Sequence, residues 1–312
     1  MKKVNWVTTI GSELKQNGNV IEFRPKPSKP PEMNGLVSTP PTPTGMGQIM
    51  SNIYFVEGIL SFKIKLHGKL SNCQLLLSKA QNQTYICINE APYAYSIKSW
   101  DPLKQQQAIL VAGVGNNDSF QPNDWINIEI EVIGSIIIYR INEVEVIRTA
   151  LNLYRSQIAF WCVGSDPVDI KEINVEIKKP KVFVVMEFKE EFNEIYTDVI
   201  VPVCEDFELE VIRADDIYNN GQILQDIINS IIGSALIIAD ITPDNPNVYY
   251  EVGYSHAAGK NVILLCNSKR EKLPFDISGL RTIFYQNSIA GKTKVETQLR
   301  KHLENLLPYR TV

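Results

Sequence analysis

Glu251 is the residue in this chain best suited to carry chemistry, because it stands on the first turns of a helix that opens directly from a buried strand. It belongs to the run Asp240-Ile-Thr-Pro-Asp-Asn-Pro-Asn-Val-Tyr-Tyr-Glu-Val-Gly-Tyr-Ser-His-Ala-Ala-Gly-Lys260. Ala235-Leu-Ile-Ile-Ala239 before it is a continuous apolar run ending in an acid, as a parallel strand buried on both faces reads. Asn245 is a natural cap for a helix whose first position is Pro246, a residue with no N–H to lose there. Asn247, Glu251 and Ser255 follow at spacings of four and share a face, and Gly253, Ala257 and Ala258 are expected to let that helix lie close against the sheet. A carboxylate beside an anomeric carbon stabilises or traps the oxocarbenium-like state through which an N-glycosidic bond breaks.

Each of these residues also has a plain structural role. Asp240 at a strand end serves equally as a turn cap, Asn245 is a cap before it is a ligand contact, and Glu251 near a helix start is favoured there by the dipole alone. His256 lies one position off the Glu251 face. Asp215 and Asp216 are suited simply to opening a helix near Gly221. Tyr249, Tyr250 and Tyr254 are equally stacking surfaces for a base and packing residues.

The elements that would position these groups change character along the chain. From about Ile53 to Ile177 the pattern has period two: Leu60, Phe62, Ile64 and Leu66 alternate with Ser61, Lys63 and Lys65, and Ile126, Ile128, Ile130 and Val132 with Asn127, Glu129 and Glu131. Strands with one buried face produce this alternation. Further strands are expected at 74–78, 85–89, 136–141, 144–147, 157–163 and 169–177, which together describe an all-β antiparallel sandwich or jelly roll. The proline-dense segment 24–44 reads as an extended linker or a strand-poor loop wrapped on the sandwich by Trp6, Val20, Ile21 and Phe23.

After Lys178-Lys-Pro180 short apolar runs at 181–186, 207–212, 235–239 and 261–265 alternate with helical patterns at 190–205, 222–232 and 247–259, and a closing helix spans 294–307. That alternation predicts an α/β domain with a doubly wound parallel sheet. The expected organisation is therefore 1–179, a β-sandwich regulatory or ligand-binding domain, and 180–312, the α/β domain. In an open parallel sheet ligands bind beyond the carboxyl ends of the strands. The loops there present Met186, Glu187 and Phe188, then Asp215, then Asp240, Asn245, Asn247 and Tyr250, all candidate substrate-binding residues around catalytic Glu251.

Composition excludes several classes. A formal charge of −4 over 312 residues leaves no basic footprint for nucleic acid. No stretch reaches the roughly 18 apolar residues of a membrane span, and the N-terminus lacks the pattern of a secretory signal. Five scattered cysteines and three histidines without ligand spacing argue for free thiols, a reducing cytoplasm and no metal. The absence of G-x-G-x-x-G and of G-x-x-x-x-G-K-[ST] removes the usual dinucleotide and P-loop fingerprints.

At these residues the chain resembles the nucleoside 2-deoxyribosyltransferase-like and TIR-like domains of bacterial signalling and antiphage proteins. Val182-Phe-Val-Val-Met-Glu-Phe188 with Phe192 and Tyr196, Arg213-Ala-Asp215, Asp240-Ile-Thr242, Asn245 through Ala257, Lys272-Leu-Pro-Phe-Asp276 and Arg281 carry the resemblance, over about residues 180 to 290. It implies a flavodoxin-like, TIR-like sheet with Glu251 as the catalytic acid of a cytoplasmic NAD⁺ nucleosidase. NAD⁺ is then a substrate rather than a cofactor, and activity is switched by the N-terminal module or by self-association into a homo-oligomer. The runners-up are a deoxyribosyltransferase acting on a nucleoside or nucleotide and a non-catalytic nucleotide-binding sensor or scaffold. The β-rich half resembles a concanavalin-type or laminin-G-like jelly roll through Phe55 to Phe62, Asn123 to Ile126, Val132 to Gly134 and Gln157 to Trp161, which implies a module for carbohydrate, another ligand or assembly.

Overall fold

Alternating side chains along Gly58–Leu66 and Ile126–Ile133 bury every second residue, and these two strands pair antiparallel with Phe62 opposite Ile128. Residues 4–26, 45–77, 83–101, 103, 107–216, 223–270 and 272–306 are described by a computed structural model. The chain divides into two compact units, one made of residues up to Ile177 and the other mostly of residues from Lys178 on.

The first unit is an antiparallel sandwich of two seven-stranded sheets. One sheet runs β1 (Trp6–Ile10), β4 (Gly45–Phe55), β13 (Ser156–Gly164), β6 (Ser71–Leu77), β7 (Gln83–Glu90), β8 (Tyr93–Trp100) and β9 (Ile109–Asn116). The other runs β12 (Val144–Ala150), β11 (Ile136–Ile141), β10 (Ile126–Ile133), β5 (Gly58–Leu66), β14 (Val168–Ile177), β3 (Val20–Phe23) and β2 (Leu14–Asn17). Phe62 of one sheet meets Phe160 of the other edge-on, with ring centroids 5.0 Å apart, an arrangement favoured by the ring quadrupoles. The stretch before the proline-dense segment, where no strand was expected, supplies β1, β2 and β3, and the expected anchors Ile21 and Phe23 are buried. Pairing of β3 with β14 satisfies backbone groups that a loop would have left to solvent. Most of the proline-dense segment, 27–44, lies outside the described residues.

The second unit carries a five-stranded sheet in the order β16 (Glu210–Arg213), β15 (Lys181–Val185), β17 (Leu236–Asp240), β18 (Asn261–Asn267), β19 (Thr282–Tyr285), parallel throughout. Helices α1 (Glu190–Ile195) and α2 (Val201–Asp206), joined by a π turn over Tyr196–Ile200, pack with α6 (Ile289–Leu306) on one face. On the other face lie α3 (Ile223–Ile232), α4 (Pro246–Ala257) and the short α5 (Phe275–Ser278). Burial on both faces explains why these strands read as unbroken apolar runs.

Some expected elements change. The helix expected over 190–205 is interrupted by the π turn, because Pro202 has no N–H to offer the carbonyl four residues back. The strand expected from Phe207 begins only at Glu210, since the chain turns out of α2 there, with the Phe207 and Leu209 amides bonded to the Cys204 carbonyl. Helix α6 starts at Ile289 rather than Lys294, and it buries Val295, Leu299 and Leu303 along one stripe.

Candidate functional site

Helix α4 holds Glu251, and the sequence starts and stops this helix tightly. The Asn245 side chain accepts the Asn247 amide at 2.9 Å, with Pro246 at the first helical position. At the other end Gly259 (φ +69) lies in the left-handed region, its amide bonded to the His256 carbonyl and that of Lys260 to the Ser255 carbonyl, which is the Schellman termination. Val248 and Val252, one turn apart, anchor the helix on Phe183, Val185, Ile237 and Ala239 of the sheet. Gly253 and Ala257 are not the close-packing residues expected: both are exposed, and nothing lies within 4 Å of a Cβ placed at Gly253. The sheet-facing stripe is formed by the valines and Ser255, whose hydroxyl donates to the Glu251 carbonyl at 2.7 Å.

Beyond the strand ends lies a cavity of about 600 Å³. Met186, Glu187 and Phe188 following β15, Ala214 following β16, the first turns of α3, and Asn245, Asn247, Val248, Tyr250 and Glu251 of α4 line it. The Glu251 carboxylate is half-buried, and burial alone pushes its pKa up to about 7, the direction expected when desolvation penalises the charged form. Among the described residues no hydrogen bond or ion pair reaches that carboxylate. The rings of Phe188 and Tyr250 are more than half exposed on the cavity wall.

Two expected substrate contacts sit elsewhere. Asp240 is completely buried, and its oxygens accept from the Thr242 amide at 2.8 Å, the Thr242 hydroxyl at 2.5 Å and the Tyr285 hydroxyl at 2.7 Å. Its carboxylate ties β17 to β19 and does not line the cavity. Asp215 is also absent from the lining; it holds the nearly buried Arg213 in a bidentate pair. Arg213 in turn donates to the Asn193 side chain at 2.8 Å and packs over the rings of Tyr196 and Phe188, 4.2 and 5.6 Å from their centroids. The guanidinium therefore fixes the direction of Phe188, one wall of the cavity.

Sequence reasoning missed Asp226, which lines the cavity from the first turn of α3 beside Ile223, Leu224 and Ile227. An acid at a helix start is ordinary for the dipole, so nothing in its spacing separated it from a solvated residue. Arg270 was missed as well. Its guanidinium donates to the carbonyls of Ile241, Thr242 and Pro243 at 2.5, 3.2 and 3.1 Å and to Asp244 at 3.0 Å, clamping the loop that delivers α4.

No family model matches this chain, and no curated protein is similar to it. Solved structures align to about half of it: the carbohydrate-binding module CBM66 from Bacillus subtilis (12% identity, TM-score 0.41, 54% of this chain and 92% of that one). A protein of unknown function with a galectin-like fold from Bacillus subtilis aligns at 8% identity and TM-score 0.39, over 54% of this chain and 87% of that one. A prokaryotic β-1,3-1,4-glucanase from a mouse hindgut metagenome aligns at 8% identity and TM-score 0.37, over 54% and 90%. The sandwich is defined by its own strand order, and the likeness adds no argument about what it binds.

Proposed function

We propose that the C-terminal unit cleaves an N-glycosidic bond between a ribose and a heteroaromatic base, acting as an NAD⁺ nucleosidase that releases nicotinamide. The observation that carries this reading is the unpartnered Glu251 carboxylate on the wall of a cavity with two exposed aromatic rings. In the proposed step the C1′–N bond breaks, its electron pair stays on the nicotinamide nitrogen, and the ionised Glu251 stabilises or traps the sugar cation. Water then adds at C1′ and gives up a proton, so NAD⁺ and water become ADP-ribose, nicotinamide and H⁺. Phe188 and Tyr250 stack the base, while Asn247 hydrogen-bonds ribose hydroxyls.

The further reading is a flavodoxin-like, TIR-like enzyme of bacterial signalling or antiphage defence, working in the cytoplasm and switched by its β module or by homo-oligomerisation. That reading rests on the sequence resemblance around Asn245 to Ala257. A deoxyribosyltransferase acting on a nucleoside or nucleotide is the second reading, its nucleoside form favoured by the lack of Lys or Arg among the described residues of the cavity lining.

Incubation of the full chain with NAD⁺ and, separately, with deoxynucleosides, at protein concentrations spanning its assembly range, tests these alternatives. Nicotinamide release abolished by Glu251→Gln with the fold retained supports the first; base exchange on deoxynucleosides alone replaces it with the second. Tight nucleotide binding without turnover, unchanged by Glu251→Gln, makes the unit a sensor or scaffold.

A further inference from the structure

The charges around the Glu251 cavity narrow what it accepts. Among the described residues its lining holds Glu187, Asp226 and Glu251 and no Lys or Arg. Three cations on the neighbouring loops are engaged. Lys189 pairs with Glu187 at 2.9 Å, Arg213 with Asp215, and Arg270 with Asp244 and three loop carbonyls. After Glu187 is set against Lys189, two carboxylates still face the cavity without a partner among the described residues, those of Asp226 and Glu251. At the N-terminus of α4, the other common anion site, the Asn245 side chain already takes the Asn247 amide.

A phosphate inside such a cavity meets like charge in a partly desolvated space, where repulsion is stronger than in water. A cation meets the reverse: two carboxylates, and the exposed ring of Tyr250, whose π face attracts positive charge. The largely apolar remainder of the wall, Met186, Ala214, Ile223, Leu224, Ile227 and Val248, suits a flat ring rather than a strongly hydrated ammonium.

We propose that the cavity selects a cationic heteroaromatic N-riboside, and that any phosphates the substrate carries stay outside it. This rests on the N-glycosidase reading and names its substrate class. It also fits the chemistry, since a positively charged base leaves as a neutral molecule and needs no proton. An approaching cation favours the ionised form of Glu251, the form that meets the sugar.

The test is calorimetric titration of the full chain with nicotinamide riboside, a cation without phosphate, and with its reduced dihydro form, which is neutral and nearly the same shape. Rates of base release from nicotinamide riboside and from NAD⁺ are measured alongside. The cation is expected to bind at least about tenfold tighter than the neutral form, the preference shrinking severalfold in Asp226→Asn. The two substrates are expected to give kcat/KM within about threefold of each other, because phosphates outside the cavity add little. Equal affinity for the two forms, no binding of either, or a preference for NAD⁺ beyond about tenfold overturns the inference. Because the wild-type comparison needs no substitution, a folding defect in Asp226→Asn does not affect it. Cation selectivity without cleavage of any substrate retires the N-glycosidase reading and leaves the selectivity standing, whereas cleavage without selectivity does the opposite.

Discussion

Glu251 and Asp240 are both acids near the carboxyl end of the same strand and the helix it feeds, yet their surroundings give them opposite duties. Asp240 accepts from Thr242 and Tyr285 and is sealed in; Asp240→Ala strands those donors and is expected to cost about 2–4 kcal/mol, measured by denaturant unfolding. Glu251 has no such partners, and burial raises its pKa to about 7. If its ionised form meets the sugar, kcat/KM rises with pH and levels off above about 7, a limb that pH–rate profiles read directly. The same shift acts on stability. Between the ordinary glutamate value near 4.5 and about 7 the folded chain holds a proton that the unfolded chain has lost, so stability falls as pH rises through that window. Glu251→Gln removes this slope and, above pH 7, is expected to stabilise the protein by about 2 kcal/mol once solvent screening is allowed for, in melts repeated at several pH values. The sequence showed that an acid stood at each position, but desolvation and hydrogen-bond supply, which separate the two, depend on side chains from β19 and from the loop after β15.

Helix α4 and its delivering loop form the element on which the site depends. Its start at Asn245-Pro246 and its end at Gly259 are legible in the sequence, because caps are local chemistry. Gly259→Ala places a side chain at φ +69 with nothing close enough to clash, so the expected loss is conformational alone, about 1 kcal/mol in thermal or chemical melts. The Arg270 clamp was not legible, since it joins a residue beyond β18 to carbonyls almost thirty positions earlier. Arg270→Ala leaves those carbonyls without their donor and is expected to cost about 2–3 kcal/mol and to lower kcat more than it raises KM, the sign that Glu251 has lost its placement. Helix α3 illustrates the converse: its periodicity was readable, but which of its polar residues lined a cavity was not.

At the scale of the molecule each unit has its own core. Phe62 sits in the sandwich against Phe160, and Leu299 sits on the buried face of α6 against the parallel sheet. Phe62→Ala and Leu299→Ala are each expected to cost about 3–5 and 2–5 kcal/mol respectively. Scanning calorimetry with a binding readout at the Glu251 cavity tests the separation: Leu299→Ala should lower the temperature at which binding is lost, and Phe62→Ala should leave it nearly unchanged. Sandwich strands with one buried face were readable by alternation, and sheet strands with two buried faces by unbroken apolar runs. The N-terminal strands β1 to β3 were not, because they are short, and their polar residues gain order only by pairing with β4 and β14.

The sequence by itself determined the change from period two to alternating strands and helices, the caps of α4 and the place of Glu251 on its first turns. All of these follow from interactions between residues near in the chain. Only the tertiary structure decided that Asp240 and Asp215 are engaged by Tyr285, Thr242 and Arg213, that Asp226 joins Glu251 at one cavity, and that no cation among the described residues lines it with them. Those outcomes depend on which distant side chains the parallel sheet brings together, and burial and charge are properties of that assembled neighbourhood rather than of any one segment.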